Sequence, residues 1–181
     1  MTQRRFPPDY SEQIAAKDGT VFHLRLVHPD DKPLFVEWLG NLSPLTRYNR
    51  FLRIKTSFSV AEQKYLTEVD GENHFCIVAL YEGRLAGVVR FIRLGHRANA
   101  ADFALTVADE FQGIGLGTEL LNRLCEAAIE REVSFLCGDM LADNTRMFHL
   151  VDLLLCITDW AVMEGIATFE LDLETYRNQE K

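Results

Sequence analysis

The chain has 181 residues, of which 48% are hydrophobic and 25% charged, and its formal net charge at pH 7 is −8. This size and composition are typical of one globular domain with a sizeable core. The acidic balance argues against nucleic-acid binding, which needs a basic surface. No apolar run approaches the ~20 residues that span a bilayer, and the N-terminus lacks the apolar stretch of a secretory signal. We therefore expect a cytoplasmic protein with no nucleic-acid or membrane partner.

Predicted elements in the first part of the chain are mostly helical. Residues 1–19 contain Pro7 and Pro8 and are interpreted as a loose lead-in to a single domain at 20–175. Apolar residues alternate at the start of this domain, which predicts a strand. Helix-type spacing follows, with Ser43 as a candidate cap of the second helix. The predicted elements are a strand at 20–27 and helices at 28–42, 43–52 and 59–69.

The second part of the chain combines hairpins with two helices. Strand patterns occur at 74–80, 85–94, 101–107 and 133–141, helix patterns from Thr118 and at 144–155, and a closing hairpin at 159–173. Residues 176–181 are interpreted as a C-terminal tail. This order differs from a strict alternation of strands and helices, so it indicates an α/β protein with a mixed sheet and helices on its faces.

Cysteines and histidines do not form a metal-binding pattern. The four cysteines lie in separate apolar runs without C-x-x-C spacing, and the five histidines include no H-x-x-x-H pair. We interpret the cysteines as reduced core residues. No metal is expected.

Three alternate glycines, Gly113, Gly115 and Gly117, lie between the predicted strand at 101–107 and the helix from Thr118. Glycine weakens both strands and helices, so this position must require bare backbone. Unpaired N–H groups and the helix dipole make a helix start suitable for an anion such as pyrophosphate. A tight structural turn is the alternative. A Walker loop does not fit, because no lysine follows Gly117.

The segment Q-G-I-G-L-G, from Gln112 to Gly117, resembles the [RQ]-x-x-G-x-[GA] signature of the GNAT family of N-acetyltransferases. The order of elements from Val21 to Leu173 is also similar to that family. More narrowly, "LSPLTRYNRFL", "ADFALTVADEFQGIGLG" and "LADNTRM" resemble the catalytic domain of bacterial Pat-type protein lysine acetyltransferases. The resemblance implies the GNAT fold, a mixed, mostly antiparallel twisted sheet of about seven strands with helices on both faces.

The resemblance also implies acetyl-CoA as cosubstrate, without a metal, and acetyl transfer to an amine, with a protein lysine as the expected acceptor. Its cofactor-binding positions match Leu105, Thr106, Val107, Gln112, Gly113, Ile114, Gly115, Leu116, Gly117, Thr118 and Asn144. Asn144 could instead cap the following helix. Many relatives carry a tyrosine acid where this chain has Val151, and His149 is nearby in the sequence.

Asp102 matches a glutamate that is proposed as general base in Pat-type enzymes. From Asp102 to Val107 an extended strand covers about 16 Å, which is comparable to a pantetheine arm. A lysine amine has a pKa near ~10.4 and must lose a proton before it attacks a thioester, so a carboxylate suits the chemistry. Aspartate is shorter than glutamate, which favours a water relay. The alternative is an exposed acid without a role.

Three arginines, Arg47, Arg50 and Arg53, recur at every third position and predict one side of a helix. A solvated face explains them, and contact with the CoA 3′-phosphate or an acidic partner is the alternative. The negative net charge suits a lysine-bearing protein substrate and equally suits plain solubility. A small-molecule amine acetyltransferase and a non-catalytic acyl-CoA sensor are the competing functions, and a homodimer remains open.

Overall fold

The computed structural model of the chain describes residues 4–179, and its strands form one eight-stranded sheet in the order β1-β2-β3-β4-β5-β6-β8-β7. The predicted α/β class and mixed, mostly antiparallel sheet are confirmed, with eight strands in place of about seven. The strands are β1 (Ser11–Ala15), β2 (Val21–Leu26), β3 (His74–Tyr81), β4 (Arg84–Leu94), β5 (Arg97–Val107), β6 (Phe135–Leu141), β7 (Ile157–Met163) and β8 (Ile166–Asp172). The helices are α1 (Lys32–Asn41), α2 (Pro44–Phe51), α3 (Val60–Thr67), α4 (Leu116–Glu130), α5 (Thr145–Asp152) and α6 (Leu173–Gln179).

Among the strands within residues 4–179, β5 and β6 form the one parallel pair, and they separate soon after they meet. Only three residue pairs join them, from Ala100 with Phe135 to Asp102 with Cys137. Beyond Asp102, β5 remains paired with β4 through Val107, whereas β6 continues along β8. A wedge therefore opens in the middle of the sheet.

Helix α4 connects the two separating strands and packs closely on the sheet. Its apolar stripe, including Leu120, Leu121 and Leu124, is fully buried. The close approach requires Gly87 on β4, because an added Cβ there would lie 2.7 Å from the Leu120 Cδ1 atom. This packing places the start of α4 beside the wedge.

The predicted loose lead-in at 1–19 is wrong where β1 forms. Ser11–Ala15 pairs antiparallel with β2, and Phe6 and Tyr10 are buried in the core. Pro7 only starts a turn, in which its carbonyl accepts the Tyr10 N–H at 2.9 Å. The sequence prediction gave the prolines too much weight. Residues 1–3 lie outside the described part of the chain.

The predicted C-terminal tail at 176–181 is also wrong over residues 176–179, because these residues belong to α6, which ends at Gln179. Asp172 stabilises the start of α6 by accepting hydrogen bonds from the Glu174 N–H at 2.9 Å and the Thr175 hydroxyl at 3.0 Å. Tyr176 is buried against the core. Residues 180–181 lie outside the described part.

A partly buried ion pair attaches β1 to α4. The Arg123 guanidinium donates to Glu12 Oε1 at 2.7 Å and Oε2 at 3.0 Å. The hydrogen bond from Arg123 is the main cause that lowers the pKa of Glu12 to about 2. Because this pKa lies below the ordinary value, the pair stabilises the fold above pH ~4.5, and the stabilisation is lost as the pH falls towards 2.

We expect Glu12→Gln to lower the free energy of unfolding at pH 7 by about 1–3 kcal/mol, since it leaves Arg123 with weaker partners. The difference from wild type should shrink between pH 5 and pH 3. Chemical denaturation at pH 7, pH 5 and pH 3 measures the difference in the free energy of unfolding between the variant and wild type. Glu37→Gln, on the exposed surface of α1, is the matched control. An equal loss in the control, or a loss that does not change with pH, would contradict the assigned ion pair.

Candidate active site

The wedge between β5 and β6 opens into a cleft of about 1320 Å³. Its walls come from β5, the loop that precedes α4, the start of α5, and helices α2 and α3. The volume exceeds the ~300–1,000 Å³ of usual small-molecule sites, so the cleft suits a long ligand. Of the predicted site residues, those that line it are Asp102, Leu105, Thr106, Val107, Gln112, Gly113, Gly115, Gly117, Thr118 and Asn144.

The edge of β5 offers this cleft backbone groups that no other strand pairs. The Ala108 N–H donates to the Ala86 carbonyl of the β4 segment at 2.8 Å. Because backbone groups alternate along a strand, those of Val107, Leu105 and Phe103 point away from β4 and into the wedge, where the Val107 carbonyl accepts from the Gln112 side chain. An extended ligand with amide groups could pair with this edge as a further strand would.

The loop before α4 uses its three glycines in two ways. Gly113 and Gly115 have φ values of +83° and +96°, in the left-handed region that favours glycine. Gly117 lies in the first turn of α4, where an added Cβ would lie 3.5 Å from Leu150 Cδ2 and 3.7 Å from Val107 Cγ2. The fold therefore tolerates a methyl group at Gly117, and the missing side chain keeps the wedge open. The helix begins at Leu116, two residues before the predicted start.

Two predicted cofactor-binding residues of the loop do not line the cleft with their side chains. Leu116 is fully buried, and Ile114 packs partly buried against the core. The Ile114 carbonyl accepts the Lys17 N–H at 3.0 Å. The side chains of these two residues therefore do not form part of the cleft wall.

Two cations beside the loop were missed by the sequence prediction. Lys17, in the turn between β1 and β2, lies over Gly115, where an added Cβ would come within 3.3 Å of its Cγ. Arg146 on α5 donates to the side-chain carbonyl of Gln112. No sequence pattern links either residue to a loop that distant in the chain. Both add positive charge where the start of α4 already favours an anion.

Gln112 is held by three elements. Its amide nitrogen donates to the Val107 carbonyl at 3.0 Å and to the Thr46 hydroxyl on α2 at 3.2 Å, and its amide oxygen accepts from Arg146. Asp109 joins α2 to the same loop by accepting from the Ser43 N–H at 2.8 Å. The loop is thus braced from both sides of the cleft.

Asp102 is exposed to the cleft at the point where β5 and β6 separate. Burial, and after it the repulsion of Asp139, raise the pKa of this carboxyl, while His96 opposes the shift. Asp139 lies on β6 and also lines the cleft, although the sequence prediction gave it no role in the site. A carboxylate with a raised pKa is a stronger base than an ordinary aspartate.

The start of α5 completes the wall near the loop. The Asn144 side chain accepts the Met147 N–H at 3.2 Å and so caps the helix, and its Nδ2 donors are not used by this bond. Val151, at the position of the family's tyrosine, is fully buried, whereas His149 lines the cleft. Within residues 4–179, no cluster of His, Cys, Asp or Glu could hold a metal ion, and no helix is long and apolar enough to cross a membrane.

A sheet that splits at one parallel pair, with a glycine loop at the start of the crossover helix, defines the GNAT fold. Residues 45–151 match the Acetyltransferase (GNAT) family, and the chain belongs to that family. The GNAT domain of S. lividans PAT superposes with a TM-score of 0.83 at 23% identity, covering 90% of this chain and 96% of that one.

Acetyltransferase Pat of Mycolicibacterium smegmatis is 33% identical over 164 residues, which cover 88% of this chain and 48% of the relative. The chain therefore spans about half the length of that relative. A protein named yncA from Salmonella typhimurium, solved with its cofactor acetyl-CoA, superposes with a TM-score of 0.68 at 17% identity, covering 84% of this chain and 94% of that one.

Gly117→Ala should separate the fold from ligand binding. The methyl group fits the packed structure and favours α4, so the unliganded protein should be as stable as wild type or up to about 1 kcal/mol more stable. It should weaken acetyl-CoA binding by about tenfold or more, since overpacking costs roughly 1–3 kcal/mol. Calorimetric titration measures the affinity. Gly40→Ala, in α1 with no atom within 4 Å of its added Cβ, should leave the affinity unchanged. Equal affinities for both variants would show that no ligand approaches Gly117.

Proposed function

We propose that the chain is an acetyl-CoA-dependent N-acetyltransferase that transfers an acetyl group directly to an amine, with a protein lysine as the acceptor. One observation carries this proposal. A single cleft runs from an anion-favouring loop, along an unpaired strand edge, to a carboxyl with a raised pKa. These are the three features that a long, phosphate-bearing acyl donor and an amine acceptor require.

The donor would bind from the loop towards Asp102. Backbone N–H groups at 112–118, assisted by Lys17 and Arg146, would bind the pyrophosphate. The pantetheine amides would pair with Leu105 and Val107 along β5. Asp102 and Val107 are separated by about 16 Å of extended strand, so the thioester would lie beside Asp102.

The reaction would then use Asp102 as general base. Its carboxylate would take a proton from the acceptor ammonium, directly or through a water, because only the neutral amine is nucleophilic. The amine nitrogen would form a bond to the thioester carbon as the carbon–sulfur bond breaks, and CoA would leave as a thiolate. The thiolate would take up the second proton, which the nitrogen loses as it becomes an amide. N–H groups on the edge of β5 could stabilise the oxyanion.

A protein lysine is proposed as acceptor because of charge and resemblance. The net charge of −8 and the paired carboxyls Asp102 and Asp139 favour a cationic partner. The motifs shared with Pat-type enzymes support the same acceptor. We place this activity in the cytoplasm.

Ligand protection and transfer test the proposal together. Acetyl-CoA at a hundredfold excess over its Kd should stabilise the fold by about 2.7 kcal/mol, and free acetate should not. Labelled acetyl-CoA should then label proteins of a bacterial lysate on lysine in preference to a panel of small amines. Protection without any transfer would favour the sensor function, and label only on small amines would favour the alternative acceptor. Absence of protection would exclude the proposed donor.

Asp102→Asn should reduce kcat by about 10²–10⁴-fold and leave acetyl-CoA affinity nearly unchanged, since the amide cannot accept the proton. Its stability at neutral pH should not fall, because the raised pKa of Asp102 shows that folding disfavours the ionised carboxyl. Asp102→Glu should remain active.

The pH profile provides the control for this assignment. Asp139→Asn removes a repulsion that raises the pKa of Asp102, so the acid limb of kcat/KM should move to lower pH while activity is retained. Kinetics of all three variants between pH 5 and pH 10 measure both effects. Wild-type turnover in Asp102→Asn would assign proton removal to another group.

A further inference from the structure

Two arginines outside the loop, Arg50 and Arg90, line the cleft. Arg90 on β4 pairs with Ala104 of β5, only 3% of its surface is exposed, and it lines the cleft. Its guanidinium donates to the Leu66 carbonyl at 3.1 Å and lies 3.2 Å from His74 Nε2. Burial, and after it the charge of Arg90, lower the pKa of His74 to about 4, so His74 is neutral at physiological pH. Arg90 is therefore solvated by uncharged acceptors.

Arg50 on α2 lines the same part of the cleft and is half-buried. Its guanidinium carbon lies 5.1 Å from the centre of the neighbouring Phe51 ring. Burial, and after it the repulsion of Arg90, lower the pKa of Arg50 to about 10. Among the ion pairs formed within residues 4–179, none includes Arg50 or Arg90.

The predicted solvated arginine face does not account for Arg50. Arg53 fits that prediction, because it is exposed and lies 3.7 Å from Glu62, although it follows the end of α2. A desolvated guanidinium without a carboxylate partner costs folding free energy. Such a charge at the wall of an open cleft indicates a role in binding, and an anionic ligand would supply the missing partner.

The register of β5 separates Arg90 from the loop at 112–118, which is proposed to bind pyrophosphate. Ala104, which lies opposite Arg90, is closer along β5 to Asp102 than to Val107 and the loop. The loop has its own cations, Lys17 and Arg146. The segments that carry the two arginines also line the cleft with the apolar side chains of Phe51, Phe58, Leu66 and Ile92, beside the polar side chains of Glu62 and Tyr65. A short apolar chain that ends in a carboxylate matches this combination.

We propose that Arg50, supported by Arg90, binds a carboxylate carried by one of the two substrates, either at the end of a dicarboxylic acyl group on CoA or on the amine acceptor. The proposal rests on the acyl-CoA-dependent function proposed above. It adds a specificity site beyond the transfer of an acetyl group. Arg50 would be a binding residue, and Arg90 would act by holding positive potential behind it.

The first arm of the test compares succinyl-CoA with butyryl-CoA, four-carbon acyl groups with and without a terminal carboxylate. Calorimetric titration gives the affinity of each for wild type, Arg50→Met and Arg50→Lys. If the carboxylate belongs to the donor, Arg50→Met should lose about 10- to 100-fold of the preference for succinyl-CoA, which is the range of one charged hydrogen bond. Arg50→Lys should retain part of it.

The second arm compares Nα-acetyl-lysine, which has a free carboxylate, with its methylamide, and uses acetyl-CoA as donor. If the carboxylate belongs to the acceptor, the same loss of preference should occur in kcat/KM for this pair. Arg84→Met removes an exposed arginine that lies 3.4 Å from Glu110 at the start of β4, and it should change neither preference. Without ligand, Arg50→Met should melt no lower than wild type, because the variant removes a desolvated charge.

Unchanged preferences in both arms, with acetyl-CoA still bound, would overturn the carboxylate site and leave the proposed function intact. The carboxylate site would likewise be overturned if Arg50→Met instead abolishes the discrimination between CoA and 3′-dephospho-CoA, since Arg50 would then bind the 3′-phosphate. Failure of the wild type to bind any acyl-CoA would overturn the proposed function itself. The thermal shift with acetyl-CoA separates that result from the others.

Discussion

The early separation of two parallel strands is the constraint on which the site depends. Strands β5 and β6 stay together for three residue pairs and then diverge, so one edge of β5 loses its partner inside a sheet whose other strands remain paired. Unsatisfied backbone groups in a protein interior are costly. The wedge is tolerable because it is open to solvent and to ligands. The donor site proposed for the cleft depends on this separation of β5 from β6.

Charge is distributed unevenly along the cleft. Positive groups gather beside the loop and again at the α2–α3 wall, while the carboxyls of Asp102 and Asp139 lie where the strands separate. In the function proposed above, the positive groups would attract a phosphate-bearing donor and the acidic junction would attract a cationic amine. Burial, and after it the repulsion of Asp139, raise the pKa of Asp102 at this junction.

Sequence patterns were informative where the signal is local. Alternation identified β5 and placed Asp102 on it, and the spacing of the glycines identified the turn into α4. Contacts between residues that are distant in the chain leave no local pattern in the sequence. Lys17 approaches Gly115, and Asp139 faces Asp102, only because of sheet order and strand divergence, which no window of sequence encodes. Arg50 and Arg53 show this limit, because equal spacing predicted one environment for two side chains that the fold places in different ones.

The N-terminal hairpin has a consequence for the order in which the site is assembled. Arg123 meets Glu12 across 111 positions of sequence, and the Lys17 N–H is bonded to the Ile114 carbonyl of the loop. Contacts of such separation form late, after local helices and hairpins. During synthesis the hairpin could not make these two contacts until the ribosome had released the loop and α4. The loop is thus completed by a segment far from it in the sequence, at a late step of folding.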